Sequence, residues 1–140
     1  MKRIFPFATF TLGLVLGAWL MNDRPAEAAS GRVFEMRTYY TLEGRLDALN
    51  ARFRNHTTRL FEKHGMKNIG YWVPMDEPDS KNKLVYLLSH ESREQAKKSW
   101  DAFRADPDWK KAQAESEVSG KIVAKVESVF LNATDYSAIK

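Results

Sequence analysis

The chain of 140 residues contains no cysteine. Disulfide bonds and a lipid-modified cysteine are therefore excluded, and the domain must be held together by core packing or by association. The chain also lacks a strong charge of one sign, since 22 Lys and Arg residues stand against 18 Asp and Glu residues. These basic residues are scattered among acids, whereas phosphate neutralisation needs clusters, so we expect no nucleic-acid partner.

Motifs for metal binding and for common catalysis are also missing. The three histidines, His56, His64 and His90, match no HxxxH or HxxE spacing, so we expect no metal site and no cofactor. No serine or threonine has a histidine and an acid at a spacing typical of acyl transfer. A glycine-rich phosphate loop is likewise not found. The sequence therefore offers no catalytic motif that names a reaction.

One long apolar run is present, at 7–21, behind a short basic start. Ala26 and Ala28 follow it as the small residues of a signal-peptidase site. This pattern predicts a secretory signal over 1–28 and a mature domain over 29–140. The alternative is an uncleaved anchor, since the run is near the lower limit of about 18 apolar residues for a membrane span. The cleavage site favours export, so we expect a periplasmic or secreted protein with no stable membrane insertion.

Beyond residue 30 the hydrophobic pattern alternates between strand and helix. The order of elements, βαββαβ, is the split βαβ pattern of the ferredoxin-like α+β fold, with an antiparallel sheet and both helices on one face. Right-handed crossovers place the first strand in the middle of the sheet, beside the third and the fourth. Strands are predicted at 32–40, 68–73, 84–89 and 121–131, and helical regions at 44–64 and 92–119.

Local signals mark the ends of these helices. Gly65 is well placed for the left-handed residue that ends the first helix. Ser92 and Gln95 have the spacing of a capping box at the start of the second helical region. Asp106 can cap a restart of that region, because Pro107 fits the first helical position.

The helices of such a sheet leave its other face without cover. Yet several strands are apolar or aromatic on both sides, as Tyr71 with Trp72 and Val129 with Phe130 illustrate. Leaving that face in water would forfeit a large part of a small domain's stability. We therefore expect a twofold homodimer in which a second copy covers it.

Four segments, FEMRTYYTLEGRLDALNARF, FEKHGMKNIGYW, FRADPDWKKA and ESVFLNATDYS, resemble in order and spacing the NIPSNAP family of the dimeric α/β barrel superfamily. The resemblance extends from Val33 to about Ser137. It implies a homodimer whose two sheets pack face to face into a barrel, and it implies little about chemistry. Neighbouring families of the superfamily include cofactor-independent monooxygenases and haem-handling enzymes, an analogy of fold only.

The strand RVFEMRTYY carries alternating polar residues. If its apolar set faces the helices, Glu35, Arg37 and Tyr39 face the interior of the barrel. Trp72 on the second strand and Glu127 on the fourth would then complete an apolar pocket with a few fixed polar groups, which is typical of a small-molecule site. We therefore predict that these five residues bind a ligand. The alternative is that the charges only fix strand register and neutralise one another.

Two classes of function remain open. The first is an exported homodimer that binds a small, partly apolar ligand in its barrel, or that serves only as an interaction scaffold. The second is a cofactor-independent monooxygenase or haem-handling enzyme of the same superfamily, in which Arg37, Tyr39 and His56 would position an aromatic substrate or haem. The first class is favoured, because no set of residues has an evident acid/base geometry.

Overall fold

The computed structural model describes residues 31–140. The predicted signal over 1–28 lies outside the described residues. Within the described part, no helix is long and apolar enough to cross a membrane. The elements are β1 (Val33–Thr41), α1 (Leu46–Arg52), α2 (Thr58–Lys63), β2 (Lys67–Trp72), β3 (Lys83–His90), α3 (Arg93–Ala105), α4 (Pro107–Ser116) and β4 (Val123–Asn132).

The four strands form one sheet in the order β2-β3-β1-β4. All three pairings are antiparallel, and β1 lies between β3 and β4. The predicted ferredoxin-like α+β architecture, with the first strand in the middle of the sheet, is confirmed. Because β1 is central, its side chains contact both neighbouring strands on either face.

The first helical region runs without a break from α1 to α2 through a π-helical turn, Phe53–Thr57. Two hydroxyl groups bond to backbone carbonyls here. Thr57 Oγ1 donates to the carbonyl of Arg52 at 3.3 Å, and Thr58 Oγ1 donates to that of Phe53 at 3.2 Å. Such bonds compete with the regular helical pattern, which fits a local π turn. The region ends as predicted at Gly65, whose φ is +77°.

The predicted start of α3 is confirmed in part. Ser92 Oγ accepts a bond from the backbone N–H of Gln95 at 3.0 Å. The Gln95 amide, however, donates to Ser99 Oγ at 3.4 Å, so it is turned along the helix and the capping box is half formed. Asp106 caps α4 as predicted, since its Oδ1 accepts from the N–H of Asp108 at 2.8 Å.

An aromatic cluster joins the helices to the sheet. Tyr86 of β3 is fully buried, and its ring centroid lies 5.2 Å from that of Phe53. The rings of Phe61 and Phe103, on α2 and α3, are 4.9 Å apart. This core covers the helix side of β2, β3 and β1. By contrast, β4 is exposed along most of its length, so the helix layer leaves a cleft beside it.

The opposite face of the sheet has no helix over it. Met36, Trp72 and Val129 on this open face are 38%, 55% and 48% exposed. At one end, the chain that follows β4 turns back, and together with Phe34 and Leu87 it lines an apolar cavity of about 430 Å³. The tail thus shields one end of the open face, and its centre remains exposed.

Candidate functional site

The structure reverses the predicted faces of β1. Glu35, Arg37 and Tyr39 point towards the helices and not into the interior of a barrel. The carboxylate of Glu35 accepts a bond from Trp100 of α3, and the ring of Tyr39 packs edge-on against Phe53 at 5.7 Å between centroids. The prediction that these three side chains line the open face is therefore wrong.

The error came from the assumption that the more apolar alternate set must face the helices. The apolar side of this layer is supplied mainly by β3, whose Leu84, Tyr86 and Leu88 are buried there. A polar residue of β1 is tolerated beside them where donors satisfy it. Glu35 meets that condition, and the alternate residue Met36 is left half-exposed on the open face.

Trp72 and Glu127 lie on the open face, as predicted. Trp72 is cross-strand neighbour to Val85. Glu127 accepts a bond from the hydroxyl of Tyr40 at 2.9 Å and forms an ion pair with Lys125. The five predicted ligand residues therefore lie on two opposite faces of the sheet, and they do not form one pocket.

The centre of the helix-facing group is the carboxylate of Glu35, which is only 1% exposed. Its Oε1 accepts from Arg37 Nη1 at 2.6 Å and from Ser128 Oγ at 2.7 Å. Its Oε2 accepts from Trp100 Nε1 at 2.7 Å and lies 2.9 Å from His90 Nε2. Because an ionised carboxylate only accepts, His90 must carry its proton on Nε2. One side chain thereby joins β1, β3, β4 and α3.

Two opposed effects set the pKa of Glu35. Burial disfavours the charged form and raises the pKa, whereas the bonds from His90, Ser128, Trp100 and Arg37 favour it. The hydrogen bonds outweigh burial and lower the pKa to about 2. Glu35 is therefore ionised at neutral pH, and a carboxylate of such low pKa is a weak base.

A cleft of about 420 Å³ opens above this network, between α3 and β4. Two guanidinium groups lie over aromatic rings in it: the Cζ of Arg37 is 4.1 Å from the centroid of the Trp100 ring, and that of Arg93 is 4.6 Å from the centroid of the Phe130 ring. We call this site the α3–β4 cleft. Besides Glu35 and Arg37, it is lined by Arg93, Lys97, Trp100, Arg104, Ser128 and Phe130.

The α3–β4 cleft carries an excess of positive charge. Arg37 is neutralised by Glu35. Lys97 and Arg104 share one acid, Asp101, at 2.8 Å and 2.7 Å. With Arg93 included, four cations face two carboxylates, which leaves two positive charges. A ligand with negative charge is therefore favoured here.

Three cations of the cleft were missed in the sequence. Arg93, Lys97 and Arg104 recur with Trp100 at steps of three and four residues, so they share one side of α3. That spacing was the available signal. The same spacing also places Trp100 in the buried stripe, and its ring contacts both the core and the cleft.

Another polar cluster ties α2 to the start of α4. Asp106 Oδ2 lies 2.8 Å from Lys63 Nζ and 2.6 Å from His64 Nε2. The bonds from Lys63 and His64 hold the pKa of Asp106 well below its usual range. The bond to Asp106 gives His64 a structural role, because it joins the end of α2 to the start of α4. Across residues 31–140, no group of three His, Asp or Glu side chains is arranged to hold a metal ion.

Fold and cleft together define the class of protein: a ferredoxin-like α+β domain with a charged, aromatic cleft beside its edge strand. The sequence profile of the NIPSNAP family matches residues 34–138. The chain therefore belongs to the NIPSNAP family, as its sequence motifs predict. A comparison with curated proteins found no match.

Solved structures share the fold at low identity. A NIPSNAP family protein from Agrobacterium tumefaciens is 18% identical with a TM-score of 0.68, over 79% of this chain and 100% of that one. Another from that organism, described as having unknown function, is 17% identical with a TM-score of 0.67, over 80% and 96%. A NIPSNAP-like domain protein from Burkholderia xenovorans is 17% identical with a TM-score of 0.65, over 77% and 90%.

The Glu35 network predicts a large loss of stability for Glu35→Gln. The glutamine amide has one acceptor oxygen in place of two. Its NH₂ group is itself a donor and would face donors of the network, so some buried donors lose their acceptor. We expect unfolding free energy to fall by about 3 kcal/mol near neutral pH. Urea unfolding measures this loss. Glu127→Gln, a change at an exposed ion pair, is the matched control and should have little effect.

The same variant should lose part of the acid sensitivity of the protein. The folded pKa of Glu35, about 2, lies below its ordinary value of 4.5. The stability that Glu35 contributes is therefore fully present above the ordinary value and is lost as pH falls towards 2. The stability gap between wild type and Glu35→Gln should narrow across that window. A gap that stays constant would contradict an ionised, hydrogen-bonded Glu35.

Proposed function

We propose that the protein is a homodimeric small-molecule binding protein, and that its small, partly apolar ligand lies in the α3–β4 cleft. The observation that carries this proposal is the pair of guanidinium groups of Arg37 and Arg93, which lie over the Trp100 and Phe130 rings at 4.1 Å and 4.6 Å from the ring centroids. Aromatic walls with a few fixed polar groups are the usual constitution of a small-molecule site.

The floor of the cleft is rigid before any ligand arrives. Glu35 holds Arg37 by an ion pair at 2.6 Å and holds Trp100 by a bond at 2.7 Å. Side chains that are already ordered lose little further entropy on binding, which favours affinity. The volume of about 420 Å³ also falls within the range of ordinary ligand pockets.

The open face supports the homodimer part of the proposal. Met36, Trp72 and Val129 leave apolar surface exposed there, beside the ion pair of Lys125 and Glu127. A twofold axis brings each patch against its own copy, so adjacent opposite charges can pair across it. Since the α3–β4 cleft lies on the helix side of the sheet, dimerisation and ligand binding need not compete.

Export is part of the proposal and is supported by the signal-like pattern of residues 1–28. The α3–β4 cleft favours ligand binding over the oxygenase and haem alternatives. Glu35, the one carboxylate among the described residues that line the cleft, has a pKa of about 2, so it is too weak a base to serve an oxygenase as general base. The described residues that line the cleft include no histidine, the common protein ligand of haem iron.

A titration with two naphthalene probes, 2-naphthoate and 2-naphthamide, tests the location of the ligand. In an NMR spectrum of the labelled mature domain, 29–140, which lacks Trp19, the indole N–H signals of the three remaining tryptophans report three places. Trp100 reports the α3–β4 cleft, Trp72 the open face, and Trp109 the outer helix layer. We expect at least one probe to shift the Trp100 signal saturably, because its ring forms a wall of the cleft.

Two variants of β4 provide the matched control for that titration. Phe130→Ala removes an aromatic wall of the cleft and should weaken probe binding about tenfold or more. Val129→Ala changes the neighbouring residue on the open face and should leave binding unchanged. A probe that shifts Trp72 first, or that binds with equal affinity to both variants, would contradict the proposed location.

Substitutions that introduce a charge on the open face test the proposed dimer. Val129→Asp places a carboxylate in the proposed apolar interface, whereas Val126→Asp places one on the helix-facing side of the same strand. We expect the wild type and Val126→Asp to sediment as dimers at micromolar concentration, and Val129→Asp to dissociate. A wild type that sediments as a stable monomer would refute this part of the proposal.

A further inference from the structure

Resting on the proposed function, we infer that the ligand of the α3–β4 cleft is an aromatic anion. Its ring would pack beside Trp100 and Phe130, against the guanidinium groups that lie over their rings. Its carboxylate or phosphate group would bind the cations of α3: Arg93, Lys97 and Arg104. Carboxylates and phosphates are the groups that guanidinium forks recognise best.

The position of Arg93 supports this class of ligand. Arg93 is the first residue of α3, directly after the cap Ser92. Positive charge at the start of a helix opposes the helix dipole, so an arginine there does not serve helix stability. Its guanidinium lies over the Phe130 ring in the lining of the cleft, where it can meet an incoming anion.

The arrangement of acids points the same way. Glu35 is saturated by its four donors below the cleft, so it does not neutralise the outer cations. Asp101 is the acid that moderates them, and it is shared between Lys97 and Arg104. The remaining positive charge favours an acidic group over a neutral polar one.

Isothermal titration of the purified protein with a matched series of probes tests the inference. The series is 2-naphthoate, its neutral analogue 2-naphthamide, 2-naphthyl phosphate and inorganic phosphate. We expect 2-naphthoate or 2-naphthyl phosphate to bind about tenfold or more tightly than 2-naphthamide, because only the charged probes form charge-assisted bonds. Inorganic phosphate should bind more weakly than its naphthyl ester, since it lacks the ring.

Three variants of α3 separate recognition from general electrostatics. Arg93→Gln should weaken the anionic probe about tenfold and leave 2-naphthamide unchanged. Lys98→Gln removes the same charge from the same helix, but Lys98 pairs with Glu94 at 2.8 Å, away from the cleft, so binding should change by less than about twofold.

Asp101→Asn frees Lys97 and Arg104 from their ion pairs, so the protein should bind the anionic probes more tightly. Because Arg93 and Asp101 are exposed, these proteins should fold, and thermal melting checks this.

The outcomes distinguish this inference from the proposed function. Tighter binding of the phosphate ester or of the carboxylate supports the inference and identifies the acidic group. Equal affinity for 2-naphthoate and 2-naphthamide at the Trp100 site would overturn the inference and leave small-molecule binding in place. Equal losses in Arg93→Gln and Lys98→Gln would also overturn it, since the effect would then be general charge. If no naphthalene probe reaches the cleft, the proposed function itself fails.

Discussion

The buried carboxylate of Glu35 is the interaction on which the site depends. It lies on the central strand and accepts bonds from Arg37, His90, Trp100 and Ser128, which belong to β1, β3, α3 and β4. A buried charge is costly unless its hydrogen-bonding capacity is filled. Because four elements fill it here, each is held at a fixed distance from the others, and α3 is fixed against the sheet.

The floor of the cleft follows from this constraint. The bond from Trp100 to Glu35 orients the indole, and the ion pair from Arg37 sets the guanidinium over that indole at 4.1 Å. Since the helix layer leaves β4 exposed, the oriented pair faces an opening and not a closed core. The helix side of the sheet therefore carries both the core and the α3–β4 cleft, while the open face has no helix over it.

Much of the fold could be predicted because its signals are local. The strand and helix periods, the glycine at the end of α2 and the caps of α3 and α4 depend on residues a few positions apart. They predict the order of elements, and the predicted ends lie within three residues of the observed ones. The π turn within the first helical region was not predicted. It depends on the hydroxyl groups of Thr57 and Thr58, whose bonds to the backbone have no distinctive spacing in the sequence.

The site was harder to predict, because alternation in a strand defines two faces and does not say which one the helices cover. That choice depends on donors far along the chain: His90, Trp100 and Ser128 lie 55, 65 and 93 residues after Glu35. From alternation alone, Glu35 and Arg37 were therefore predicted on the wrong side of the sheet. Once Trp100 is known to reach Glu35, the cations that share its side of α3 follow from helical spacing.

The position of a bound aromatic anion tests the central claim most directly. A crystal of the protein soaked with 6-bromo-2-naphthoate would reveal the bromine by its anomalous signal, free of any assumption about the fold. We predict that the bromine lies between α3 and β4, with the carboxylate near Arg93 and the ring beside Trp100. A bromine found only on the open face, beside Trp72, would contradict the assignment of the α3–β4 cleft as the binding site.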